Sequence, residues 1–237
     1  MGLVRSIIDY LGARGVLVLL AVLFVVAGTY GFVELTDDVT EGDTHTFDNT
    51  VIEWLRYNRG PHWLEIMGRD ITGLGGIIVL AGLTVVVAGY FLLLRKSHLA
   101  ILVIIATVGG GFINTGLKHL IGRERPPEEH RVVQELTHSF PSGHAMLSAT
   151  VYLTLGTLLA RGSKGRALKV YILLVAVVIA MLIGVSRVYL MVHWPTDILA
   201  GWMVGLMWAV LLWLAMHFLQ RYRIVESDRE EGKPSSL

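Results

Sequence analysis

Six long runs without Asp, Glu, Lys or Arg divide the chain: Gly15–Val33, Ile71–Leu94, Leu99–Leu117, Ala145–Ala160, Val170–Ser186 and Ile198–Gln220. A helix of about 20 apolar residues crosses the hydrocarbon core of a bilayer. The fourth and fifth runs are short, but each extends over neighbouring residues, giving spans at about 15–33, 71–94, 99–117, 143–160, 170–188 and 197–220. Helices are expected because a segment in lipid must satisfy its own backbone hydrogen bonds. The runs are too long and continuous for barrel strands. The pattern therefore predicts an all-α, polytopic membrane protein with six transmembrane helices. It reads as a single domain over 1–237, and the polar tail at about 222–237 is expected to be flexible.

Between the first two runs, Thr36–Asp70 carries a weaker helical pattern. Phe47, Val51 and Leu55 recur every four residues behind the cap candidates Thr46 and Asp48, and Gly60-Pro61 stops the helix. Trp54, Tyr57 and Trp63 suit the headgroup level. This segment reads either as a lid or portal over a site or as a surface helix lying on the membrane, and the surface helix is the preferred reading. The first run, with Arg5 and Arg14 before it, also resembles a signal peptide. Its apolar core exceeds the usual ~7–15 residues, and Glu34 follows without a clear cleavage site, so a retained helix is expected.

Composition agrees with a membrane protein. Hydrophobic residues make up 54% and charged residues 16%, against about a quarter charged in soluble domains. Mean hydropathy is +0.61. A soluble enzyme or a disordered chain is excluded. The net charge of +1 provides no bulk field for nucleic acid. With no cysteine, disulfides, thiolate metal sites and a cysteine nucleophile are all excluded. Six crossings put both termini on one side, and that side collects twelve of the twenty Lys and Arg. The opposite side collects fourteen of the nineteen acids. The positive-inside rule then places the termini in the cytoplasm and the long loops outside the cell membrane.

Three polar strings lie at the outer ends of predicted helices. The first runs from Lys118 to Arg125-Pro126, the second is Pro141-Ser142-Gly143-His144, and the third holds Ser186-Arg187, His193 and Asp197. On a continuous helix Lys118 and Arg125 would stand two turns apart on one face. With Arg187 they would bind a dense anion, since guanidinium forks match phosphate oxygens and Lys adds a point charge. Arg123 and Arg131 are read as snorkelling to the headgroups. Ser142 and the Gly143 backbone, at a helix start, suit an anion cradle beside His144, or an ordinary cap. Pro195 fits the first position of the last helix. Asp197 in its first turn can accept from one nitrogen of His193 and make the other more nucleophilic, or can simply cap. Each string alone is ambiguous.

Together, K-x6-R-P (Lys118, Arg125, Pro126), P-S-G-H (Pro141 to His144) and S-R-x5-H-x3-D (Ser186, Arg187, His193, Asp197) match the three-part signature of the type 2 phosphatidic acid phosphatase (PAP2) superfamily. Asp70 to Gly75 also resembles a stretch of bacterial members. The resemblance implies an enzyme, a lipid phosphatase. His193 would attack phosphorus, Asp197 would orient it, and His144 would protonate the leaving oxygen and then activate water. Lys118, Arg125, Ser142, Gly143 and Arg187 would hold the phosphate oxygens. No cofactor and no metal enters that scheme. The implied substrate is a lipid phosphate, with undecaprenyl pyrophosphate first and phosphatidylglycerol phosphate or phosphatidic acid as alternatives. A lipid or anion transporter, a non-catalytic lipid-binding scaffold, and a zinc site built from His119, His130 and His138 are the weaker rivals. Oligomeric state is open.

Overall fold

The computed structural model describes residues 2–221, with side chains from Gly15 to Gln220. The tail at 222–237 and the side chains of Arg5 and Arg14 lie outside the described residues. Eight α-helices follow in order: α1 (Gly2–Glu41), α2 (His45–Tyr57), α3 (His62–Gly73), α4 (Ile77–Leu93), α5 (Ser97–Ile121), α6 (Gly143–Gly162), α7 (Arg166–Tyr189) and α8 (Pro195–Arg221). One 3₁₀ turn, Glu128–His130, lies between α5 and α6. No strand occurs among the described residues.

Among the described residues, five helices are long and apolar enough to cross a membrane, namely α5 to α8 and the Gly15–Glu41 part of α1. The helices α3 and α4 pass the same test only as a pair, bent by 41°. The run expected as one helix from Ile71 to Leu94 is thus broken at Leu74–Gly76, where Gly73, Gly75 and Gly76 weaken helix propagation. The first helix also outruns its apolar stretch and carries Glu34, Asp37 and Asp38 beyond Val33.

The bundle is organised around α6, which packs most extensively on α7 and α8. Further pairings are α4 on α5, α1 on α8, α5 on α6 and α3 on α7. Half of the apolar window of α6 is buried inside the protein, against none of α1. Lipid is as apolar as the helices, so close backbone packing rather than water exclusion holds such pairs. Gly201 and Gly205 of α8 make that approach possible. A Cβ at Gly205 would lie 2.4 Å from the Met146 carbonyl oxygen, and one at Gly201 would lie 2.7 Å from that of Ser142. The outward faces carry large apolar side chains, such as Ile78, Phe112 and Leu93.

Candidate active site

The three polar strings converge at one end of the bundle, and each is delivered by a helix terminus. Lys118 lies in the last turn of α5. That helix stops at Gly122, which adopts the left-handed conformation (φ 65°, ψ 20°) and caps back to the Lys118 carbonyl. The expected continuous helix through Arg125 does not form. Arg125 instead leaves on the following loop, and the two cations meet by folding back. Lys118 Nζ donates to the His138 carbonyl, and Arg125 Nη2 donates to the same oxygen at 3.3 Å. Arg125 Nε also donates to the Thr137 carbonyl at 2.7 Å.

Ser142 is the N-cap of α6, its hydroxyl accepting from the Ala145 amide at 3.5 Å. Its own amide donates to the Asp197 carbonyl at 3.0 Å, tying the start of α6 to the start of α8. Gly143 is required by close approach, because a Cβ there would lie 2.8 Å from Asn114 Oδ1. His144 sits on the first turn of α6 against Gly75.

His193 and Asp197 flank Pro195, the first residue of α8. Both are buried, at 1% and 0% exposure. His193 Nδ1 lies 3.2 Å from Asp197 Oδ2, and His193 Nε2 lies 3.1 Å from Arg125 Nη1. A guanidinium only donates, so Nε2 must present its lone pair. The proton is thereby assigned to Nδ1, which donates to the carboxylate. Burial first, then the charges of Arg125, Arg187, Lys118 and His144, hold His193 well below the ordinary imidazole value of 6.5. The ring is therefore neutral at physiological pH, with its Nε2 lone pair turned toward Arg125.

Arg187, in the last turn of α7, is 2% exposed. Its Nη1 donates to Thr72 Oγ1 at 3.2 Å, its Nη2 pairs with Glu135, and its Nε has no hydrogen-bond partner. Glu135 also approaches Arg125 at 3.8 Å. Burial pushes Glu135 upward, but Arg187, with Arg125 and His144 behind it, more than reverses this and holds the carboxyl below its ordinary value. Burial lowers Arg125 to about 10, so it remains a cation at neutral pH. A carboxylate therefore occupies the position between two guanidinium groups where a phosphate oxygen would be neutralised.

A cavity of about 980 Å³ opens beside this cluster, lined by Lys118, Arg123, Arg125 and Arg131 against Glu124 and Glu135, while Arg187, His193 and His144 lie behind its lining. The excess of cations favours an anionic ligand.

Reasoning from sequence missed several of these partners. Arg123 does not snorkel. Its side chain is 9% exposed, its Nη1 donates to Asp197 Oδ1 at 2.7 Å, and its Nη2 donates to Asp48 Oδ2 at 2.6 Å. Arg131 does not snorkel either, since its Nε donates to the Pro126 carbonyl at 2.6 Å. The helix α2 turns Asp48 and Ile52 inward and leaves Phe47 exposed, so the Phe47-Val51-Leu55 stripe is not its buried face. Thr44, rather than Thr46 or Asp48, is its N-cap. Asp48 bonds α2 to the site, while Phe47, Trp54 and Tyr57 of the same helix stay exposed. Ser139, Glu135 and Thr72 also escaped notice. Only the proximity of Arg123 and Ser139 to signature residues in the chain offered a signal. His119 and His138 meet edge to face with centroids 6.4 Å apart, while His130 pairs with Glu129. Among the described residues no three His, Asp or Glu are grouped as metal ligands.

Residues 98–221, just over half of the chain, match the family model described as the PAP2 superfamily. The chain belongs to the PAP2 superfamily. The matched residues hold all three strings, and this PAP2 protein is a phosphatase. It is 38% identical to phosphatidylglycerophosphatase B of Bacillus subtilis over 149 residues, which cover 61% of this chain and 71% of that protein. It is also 38% identical to an undecaprenyl-diphosphatase of Sulfolobus acidocaldarius over 68 residues, 29% of each. In three dimensions it resembles a transmembrane PAP2-type phosphatidylglycerolphosphate phosphatase from Bacillus subtilis. That likeness has a TM-score of 0.78 at 30% identity and covers 84% of this chain and 98% of the other.

Proposed function

We propose that the chain acts as one domain, an integral membrane lipid phosphatase that hydrolyses a phosphomonoester or pyrophosphate of a lipid at the extracytoplasmic face. Six crossings are assigned, the bent α3–α4 pair counting as one, with both termini in the cytoplasm of a cell membrane. His193 Nε2 attacks phosphorus as the bond to the leaving oxygen breaks, forming a phosphohistidine, and His144 gives that oxygen its proton. Water, losing a proton to His144, then attacks phosphorus and breaks the N–P bond. The products are inorganic phosphate and the lipid shortened by one phosphoryl group, an alcohol from a monoester or a monophosphate from a pyrophosphate. Lys118, Arg125, Ser142, Gly143 and Arg187 stabilise the charge that builds on the equatorial oxygens. Asp197 fixes the reactive tautomer. The scheme uses no metal or cofactor.

One observation carries this reading: the lone pair of a buried, neutral His193 is directed at Arg125, with Arg187 and Lys118 adding positive charge at the same site. Undecaprenyl pyrophosphate is the first choice of substrate. Phosphatidylglycerol phosphate is favoured as the second reading by the relative that shares 38% identity across 71% of its own length, and phosphatidic acid stands beside it. A transporter has no use for a His–Asp relay beside an anion cradle.

The test is phosphate release from short-chain lipid phosphates by detergent-purified protein in EDTA. Release is expected, with inhibition by vanadate. His193→Ala and His144→Ala should each abolish release while the protein stays folded. A requirement for added zinc or magnesium would overturn the metal-free scheme. A comparison of kcat/KM across the lipids named above selects the substrate.

A further inference from the structure

The nucleophile relay does not end at Asp197. Asp197 Oδ2 accepts from Ser139 Oγ and from the Trp194 amide at 2.9 Å, and it faces His193 Nδ1. Its other oxygen accepts from Arg123 Nη1 at 2.7 Å. The Nη1 of Arg123 also donates to Thr196 Oγ1 at 2.8 Å, and its Nη2 reaches Asp48. Asp48 comes from α2, in the segment between the first two membrane-spanning elements. Its Oδ1 accepts the Thr196 amide at 3.1 Å and its Oδ2 accepts the Thr196 hydroxyl at 2.6 Å. Thr196 is the second residue of α8, so a carboxylate from a different helix satisfies one of the open amides at the α8 start.

The order along the chain of contacts is Asp48, Arg123, Asp197, His193. Asp48 is 1% exposed and Asp197 0%. An unpaired carboxylate at such a site is strongly disfavoured, and the Arg123 guanidinium donates to both, offsetting one of the two negative charges. Arg123 has a further restraint, its guanidinium lying 5.6 Å from the Trp194 ring centroid.

We propose that Asp48 and Arg123 are positioning residues of the reaction: docking of α2 through Asp48 holds the Arg123 guanidinium on Asp197 Oδ1, which leaves Oδ2 aligned on the imidazole of His193. Asp48 does not line the cavity, and both terminal nitrogens of Arg123 are engaged by carboxylates. The first outer segment is thus a structural part of the nucleophile relay, and a lipid or partner that displaces α2 lowers turnover without altering the phosphate contacts. The inference rests on the reading of His193 as the nucleophile.

The experiment measures kcat and KM separately for Asp48→Asn, Arg123→Lys and Arg123→Ala on whichever lipid phosphate the wild type hydrolyses. Asp48→Asn is expected to lower kcat roughly tenfold to a hundredfold, the range of one charge-assisted hydrogen bond, with KM within about twofold. Arg123→Lys keeps the charge and is expected to lose less than Arg123→Ala. Arg123 lines the open cavity, so added guanidinium should restore part of the kcat of Arg123→Ala and leave the wild type unaffected. Wild-type kcat in a folded Asp48→Asn overturns the proposal, as does a loss seen only in KM. If Asp48→Asn does not fold, the rescue decides, and no recovery of Arg123→Ala by guanidinium overturns it. Full activity of His193→Ala would instead refute the phosphohistidine reading itself.

Discussion

Replacing Gly201 by alanine adds one methyl group where α8 crosses α6. The new Cβ would stand 2.7 Å from the Ser142 carbonyl oxygen, 2.9 Å from Ala145 Cβ and 3.2 Å from the Met146 amide nitrogen. Two of those atoms are helix backbone and cannot swing aside. Ordinary contact begins at 3.4 Å, so the helices must part by about 0.7 Å along the closest approach. Overpacking of this kind costs about 1–3 kcal/mol. The displacement falls at the start of α6, where the Ser142 amide donates to the Asp197 carbonyl at 3.0 Å. It therefore also shifts the carboxylate that orients His193. A misplacement of about 1 Å at a catalytic group costs on the order of 10²-fold, so a smaller shift predicts a kcat loss of about tenfold. The assay pairs thermal unfolding in detergent with phosphate release from a lipid phosphate. Gly82→Ala on α4 is the control, since nothing lies within 4 Å of a Cβ there. It should be neutral, or stabilising by up to about 1 kcal/mol through helix propensity. Wild-type stability and kcat in Gly201→Ala, or equal damage in Gly82→Ala, would refute the packing argument.

Asp197→Asn keeps the shape but puts an amide where four donors converge, from Arg123, Ser139, the Trp194 amide and His193. The tautomer of His193 is then no longer enforced, and kcat should fall by about 10³ or more, as for an Asp to Asn change in a related relay. Glu135→Gln removes the carboxylate paired with Arg187. It should lower KM for the lipid phosphate, and the inhibition constant of inorganic phosphate, several-fold, and unchanged values would show that Glu135 does not compete with the ligand. His193 is held well below 6.5 by burial and neighbouring cations. It therefore stays neutral in the folded protein as pH falls through 6.5, while the unfolded chain takes up a proton. The sign follows: this residue contributes no stability change above the unfolded value and a growing loss below it. The slope of stability against pH between about 6.5 and 5 should be shallower in His193→Gln than in the wild type, as measured by thermal unfolding.

The membrane class was legible in the linear pattern, because runs of about 20 uncharged apolar residues have one stable solution in lipid. Five of the six runs are single helices. The exception, Ile71 to Leu94, failed because hydropathy does not register a backbone break at Gly73–Gly76. The three strings were legible only together, through their joint match to the PAP2 signature, because each alone also reads as a helix cap or a snorkelling cation. Arg123, Asp48 and Glu135 were not, since a single charged residue in a loop has the same sequence appearance whether it wets the surface or closes a buried ion pair. Their roles depend on contacts between residues 52 to 75 positions apart, such as Arg187 to Glu135 and Arg123 to Asp48. Local pattern thus determined which segments are long and apolar enough to cross a bilayer and which side chains are chemically competent. Which of those charges face one another was decided only when α8 seated on α6 and α2 closed over its start. Burial there forbids an unpaired carboxylate, and three-dimensional proximity selects its partner.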